Sequence, residues 1–335
     1  MVHESSMTAQ PERDTSPFSI SERLPSPISP SSVRQVPLRF RGSGLPGYHV
    51  VLPVWFLTTT DRFADEAGTQ LSCQIRALSR NRISLLEIRG VNGENVADLT
   101  PEKAREIHRQ LTDAGIGVWS IGSPTGKIKL TDDFGAHLEA FRRMLDTAHI
   151  LGAAHFRLFS FYEAYNEQAE VVDRLGALCD AAEGSGVMLC HENEKGIFGD
   201  TAERCVRLLN ALPALHAVYD PANFIQSGED PLAAWKLLRD RTAYLHIKDC
   251  RKDGTVVPAG KGIGHLPEIV ADFLSRGGEV MTLAPHLADF IGLSGLEQEG
   301  ERSVVGSEEF RFADNDEAFD AAVAALRGIL DGTAQ

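Results

Sequence analysis

The chain has 335 residues, 43% of them hydrophobic, and 33 Lys and Arg against 47 Asp and Glu give a formal charge of −14. A surface of that sign repels phosphate backbones and anionic lipid, which argues against nucleic-acid and membrane partners. No apolar run approaches the ~18 residues of a membrane span, and no h-region of a secretory signal stands at the start. Five cysteines (Cys73, Cys179, Cys190, Cys205 and Cys250) without a CxxC pair predict reduced core thiols and a cytoplasmic protein.

Residues 1–47 are rich in Ser, Pro and Arg, and prolines at 25, 27 and 30 deny a helix its amide donors. They predict a disordered tail ahead of one domain over 48–335. From residue 50 short apolar runs alternate with amphipathic stretches. The predicted strands are Val50–Leu57, Ile83–Arg89, Gly117–Gly122, His155–Ser160, Val187–Glu192, Ala217–Asp220, Ala243–Ile247 and Glu279–Leu283. The predicted helices span about 64–80, 101–115, 133–152, 167–185, 200–211, 231–240, 265–276 and 315–331, read from a period near 3.6. Thr100-Pro101-Glu102 is a helix opening with a capping hydroxyl and a first-turn proline. Gly115, Gly152 and Gly186 stand where helices should stop.

Eight strands alternating with eight helices imply parallel pairing and right-handed crossovers, for which a closed (β/α)8 barrel is the economical α/β fold. An open doubly wound sheet usually shows a glycine-rich phosphate loop after its first strand. Here the first predicted strand is followed by TTTDRFADE.

In a barrel, chemistry collects where strands end. The fifth predicted strand ends in His191-Glu192-Asn193-Glu194, the sixth in Tyr219-Asp220-Pro221-Ala222-Asn223, and the seventh carries Leu245-His246-Ile247-Lys248-Asp249. Two carboxylates and a neutral imidazole make a hard-to-borderline donor set, suited to Mn2+, Mg2+, Co2+ or Zn2+. A single strand-end Asp is more often a loop cap. Glu192, Asp220 and His246 on three successive strands, all at the same end, point to a metal site. Lys248 shares a strand face with His246 and is a candidate for a substrate oxygen. Glu87 and Arg89 alternate with Leu86 and Ile88, which puts both at the barrel mouth, as substrate contacts or as an ion pair with each other. Lys127 and Arg157 are candidates for an anionic group, and Trp55 for the face of a sugar ring. His191 points away from Glu192, as a packed residue would. His155 starts its strand at the end remote from chemistry.

These residues resemble the sugar phosphate isomerase/epimerase family with its xylose isomerase-like barrel, over about residues 70–331. The carriers are Leu86-Glu87-Ile88-Arg89, Gly122-Ser123-Pro124 with Lys127, Arg157-Leu158-Phe159-Ser160, and the three strand ends above. Pro258-Ala259-Gly260-Lys261-Gly262 and Pro285-His286-Leu287 complete the set. The resemblance implies a metal held by Glu192, Asp220 and His246, with manganese the first expectation. It also implies a fourth carboxylate from strand eight. Where the family reads Glu-Pro-His-Leu, this chain reads Ala284-Pro285-His286-Leu287, and a methyl group cannot coordinate a cation. Either three protein ligands leave an open position, as catalytic sites do, or His286 or Asp289 takes over, or metal binding is weak.

The first functional expectation is therefore a divalent-metal-dependent isomerase or epimerase of a sugar, sugar phosphate or keto-sugar. It would act by proton transfer through an enediolate, with Glu192, His286 and Lys248 as catalytic groups. The alternatives are a metal-dependent lyase on 3-keto-glycosides and a non-catalytic barrel that binds a sugar or a partner. The expected ligand is a small carbohydrate, and a homo-oligomer or a small partner subunit is compatible with the family.

Overall fold

The computed structural model describes residues 60–289, 304–305 and 309–333. The chain divides into two units, 1–51 and 52–335, and every described residue belongs to the second. The tail predicted over 1–47 and the strand predicted over Val50–Leu57, with Trp55, lie outside the described residues.

Eight parallel strands form one sheet: β1 (Thr60–Arg62), β2 (Leu85–Ile88), β3 (Gly117–Gly122), β4 (His155–Leu158), β5 (Met188–Glu192), β6 (His216–Tyr219), β7 (Thr242–Ile247) and β8 (Met281–Leu283). Their spatial order is β1-β8-β7-β6-β5-β4-β3-β2, and β1 and β2, the two ends of that series, lie side by side. The sheet is thus rolled into a (β/α)8 barrel, as predicted. Outside it run α1 (Leu71–Arg80), α2 (Pro101–Asp113), α3 (Phe134–Leu151), α4 (Gln168–Ala182), α5 (Ala202–Ala211), α6 (Pro221–Gln226), α7 (Pro231–Leu238), α8 (Leu266–Ser275) and α9 (Asn315–Thr333).

Local chemistry sets the ends of these helices. Thr100 accepts from the Lys103 N–H and Pro101 opens α2, while Gly152 closes α3 at φ +74°, a conformation that favours glycine. Two expectations need correction. The first described strand is Thr60–Arg62, inside the stretch read as a connecting loop. It lacks an apolar pattern and is fixed by pairing with β8, Thr60 opposite Met281 through Arg62 opposite Leu283. The helix expected over 64–80 begins only at Leu71, after a single 3-10 turn at Ala64–Glu66. The six-residue α6 went unpredicted, being too short to show a helical period.

Alternate residues of each strand face opposite sides. Leu86, Ile88, Phe156, Leu158, Leu189, Leu245, Ile247 and Leu283 pack outward in the main core. Inside the barrel Cys190, Val218, Tyr244 and Val280 form a separate apolar layer. That layer is the floor beneath the C-terminal mouth. All five cysteines are free thiols. No helix among the described residues is long and apolar enough to cross a membrane.

Candidate metal centre

Glu192 ends β5, Asp220 follows β6 and His246 lies one residue before the end of β7. All three are buried, and their donor atoms lie within 4.8 Å of one another. The loop-cap reading of Asp220 holds for one of its two oxygens. Its Oδ1 accepts the Asn223 N–H at 3.0 Å and caps α6. Its buried Oδ2 accepts no hydrogen bond, and Lys248 Nζ lies 3.3 Å from it. His246 is oriented from behind: Nε2 lies 3.1 Å from Glu87 Oε2, which turns Nδ1 toward Glu192 Oε1 at 2.8 Å. Carboxylate backing of this kind fixes a ligating imidazole. Two carboxylates and an imidazole, with one orphaned carboxylate oxygen among them, fit a divalent cation.

Charge is balanced tightly here. Burial pushes the Glu192 carboxyl up, but His246 and Arg157 outweigh it and hold it well below the usual range. Arg157 donates to Glu192 Oε2 at 2.9 Å. Burial lowers His246, yet Glu192 and Glu87 on either side raise it to about 10. Burial raises Asp220, against the opposing pull of Lys248. Lys248 also donates to Asn223 Oδ1 at 2.6 Å. The next residue, Asp249, accepts from the N–H groups of Gly260, Gly262 and Gly264. A Cβ at Gly262 would lie 2.2 Å from that carboxylate, so only glycine lets this loop close on Asp249.

The structure gathers Arg89, Lys127, Arg157, Lys248 and His286 around the triad as the lining of one small pocket at the mouth. Apart from Phe63 and Ala284, every lining side chain is charged or an imidazole. Lys127 lies 3.6 Å from Glu194 and sits over the Phe159 ring at 4.3 Å. Glu87, expected to meet substrate, does not line the pocket. It is fully buried one layer down, where it accepts from Thr282 at 2.8 Å and Tyr244 at 3.1 Å besides facing His246. A register shift between Leu86 and Glu87 accompanies that placement. Arg89 forks onto Asp65 at 2.9 Å through Nε and Nη2.

An aromatic face on the pocket comes from Phe63, just after β1. Its ring meets His246 edge-on at 5.3 Å and underlies Arg89 at 4.1 Å. Ala284 directly follows β8 and lines the pocket. Asp289, weighed as a replacement, is exposed at the rim. His286 is 6% exposed and lines the pocket. His191 is a packed residue: Nε2 lies 2.9 Å from Ser160 Oγ, and burial lowers its pKa to about 4. His155 stacks on Trp119 at 3.9 Å, away from the triad. Glu66, Asn193 and Asn223 were not found from sequence. Asn193 Oδ1 and Nδ2 bond the Asp220 main chain at 2.9 and 2.8 Å. The DPAN run carries the signal for Asn223, but nothing around Glu66 does.

The comparisons with known proteins agree with this geometry. A family model described as xylose isomerase-like TIM barrel matches residues 84–284. Inosose dehydratase from Clostridium perfringens is 29% identical over 93 residues, 27% of this chain and 30% of that protein, so the chain spans about a third of the length of the curated relatives it matches. Among solved structures, D-psicose 3-epimerase from Clostridium cellulolyticum H10, solved with D-tagatose, superposes with a TM-score of 0.62 at 15% identity, covering 82% of this chain and 99% of that one. The IOLI protein, solved with a bound zinc atom, superposes with a TM-score of 0.62 at 16% identity, covering 82% and 99%. With the triad at its mouth and the family model running from the second strand through the eighth, this chain belongs to the xylose isomerase-like TIM barrel family.

Proposed function

We propose that this protein is a divalent-metal-dependent enzyme that removes a proton from the carbon beside the carbonyl of a small polyhydroxylated substrate and then expels a β-hydroxyl or β-glycosyl oxygen. It is thus read as a dehydratase or lyase before an isomerase or epimerase. The observation that carries this order is Ala284. Epimerisation in related enzymes uses two metal-bound carboxylates on opposite faces of the reacting carbon, and a methyl group stands where the second would be.

Glu192, Asp220 Oδ2 and His246 would hold the cation, with manganese preferred among Mn2+, Mg2+, Co2+ and Zn2+. When bound, the cation polarises the substrate carbonyl and stabilises the charge that develops on its oxygen. Glu192, tied to Arg157 and held well below the usual carboxylate range, is a ligand and a weak base. His286 accepts the proton at an imidazole nitrogen, and burial with Lys248 and Arg89 nearby keeps that ring neutral. Lys248 gives a proton to the leaving oxygen. The C–H and C–O bonds break, a carbon–carbon double bond forms, and water or the aglycone departs. Solvent restores both residues. The polar lining suits a polyol.

The test is incubation of the Mn2+-loaded chain in D2O with inosose, D-psicose and a 3-keto-glucoside. Elimination gives an α,β-unsaturated ketone by ultraviolet absorbance. His286→Asn and Lys248→Met each lower the rate about 100-fold with metal content retained, as loss of a general acid or base does. Deuterated isomer without enone reverses the order in favour of isomerisation. No product and no deuterium exchange with any of the three would leave a binding role only.

A further inference from the structure

Two loops that the triad does not use meet beside it. Glu66 closes the turn after β1, and His286 stands two residues beyond Ala284 in the loop after β8. The His286 main-chain N–H donates to Glu66 Oε2 at 2.9 Å, and the ring Nε2 lies 3.4 Å from Oε1, in ion-pair range but outside hydrogen-bond geometry. Each residue is 6% exposed. Asn315, at the start of α9, clamps both loops: its Nδ2 donates to the carbonyls of Glu66 and Asp289, each at 2.9 Å. His286 has φ +45°, an uncommon conformation for a residue with a side chain, and one that clusters at functional sites.

We propose that Glu66 is the positioning residue for His286, and that this carboxylate–imidazole pair, built from the loops after β1 and β8, supplies the acid–base group that the family draws from its strand-eight carboxylate. The proposal rests on the proton-abstraction reading above. A base oriented by a third group is a recurring catalytic device, and the hydrogen bond at one ring nitrogen decides which nitrogen carries the proton. A small rotation of the ring that brings an Nε2–H onto Glu66 Oε1, 3.4 Å away, leaves the Nδ1 lone pair as the acceptor.

The charges around the pair keep the imidazole neutral and place the ionisation of Glu66 near neutrality. Glu66 is faced by Arg89, Asp65, His286 and Lys248, and His286 by Lys248, Arg89, Lys195 and Glu192. Burial, partly offset by Arg89, raises Glu66 to about 7. Burial and the three cations lower His286 well below its usual value.

The experiment uses the full chain loaded with Mg2+, which is diamagnetic, as wild type, Glu66→Gln and Glu66→Asp. It measures metal content, kcat and KM on inosose from pH 5.5 to 9, and imidazole 15N spectra of His286. The expected result for Glu66→Gln is unchanged metal content, KM within about threefold and kcat lower by about 50-fold. The inflection near pH 7 in kcat disappears, and the balance of His286 tautomers changes. Glu66→Asp recovers part of kcat. A Glu66→Gln protein with a wild-type kcat profile and unchanged His286 shifts overturns the pair. If the wild type turns over none of the keto-polyols, the functional reading fails on its own, and the His286 spectra decide the pair: altered shifts sustain it and unaltered shifts overturn it. If Glu66→Gln does not hold metal, Glu66→Asp is judged by the same spectra.

Discussion

Asp220 shows how one residue can serve the backbone and the site together. One oxygen caps α6 and the other, buried, lies beside Lys248. Asp220→Ala therefore removes both a cap and a ligand, and is expected to abolish stoichiometric Mn2+ in metal analysis while costing about 1 kcal/mol for the cap alone. Asp220→Asn keeps the cap and should separate the two effects. Glu66 sets a pH dependence. Burial raises its pKa from 4.5 to about 7, so between those values the folded chain keeps a proton that the unfolded chain has released. Its contribution is present below pH 4.5 and is lost as pH rises through 7, by about 3 kcal/mol. Urea unfolding of wild type and Glu66→Gln at pH 5 and pH 8 checks this: the variant should lose correspondingly less stability over that interval. Glu192, Asp220 and His246 were legible in the sequence because barrel strands must end at one mouth. Glu66 was not, because its bond to His286 depends on β1 lying against β8, and the sequence pattern read the residues of β1 as a connecting loop.

At the level of elements, seven predicted strands coincide with β2 to β8 to within a few residues, because each alternates or runs apolar between turn signals. β1 escaped because Thr60-Asp61-Arg62 has no apolar run, and its extended conformation follows from the ladder with β8. The loop after β8 is where this chain differs from the pattern its sequence resemblance implies, and Ala284→Glu tests that corner. With Thr282 opposite His246, residue 284 follows at the mouth, and a carboxylate there should tighten Mn2+ at least about tenfold by titration calorimetry. Unchanged affinity would show that the corner lies out of reach of the cation. The same variant should shift any product mixture toward epimer, since it restores the second carboxylate.

Across the whole molecule, a net charge of −14 works against long-range attraction of polyanions. The last helix holds the barrel together from outside. α9 packs on α8 and α1, Arg80 at the end of α1 and Asn81 just after it bind Asp320, and Leu326 is fully buried. Leu326→Ala should cost 2–5 kcal/mol in equilibrium unfolding, a range set by how far the cavity collapses. The closure between β1 and β2 has a consequence of its own. Among the described residues no ladder joins these two strands, so β1 hangs from β8 by one edge, and Arg89–Asp65 is a side-chain stitch across the gap. A cylinder fastened on seven sides and stitched on the eighth will breathe along that seam. Main-chain amides of residues 60–62 should trade hydrogen for deuterium well before those of 242–247, and the door so hinged carries Phe63 and Glu66 with it.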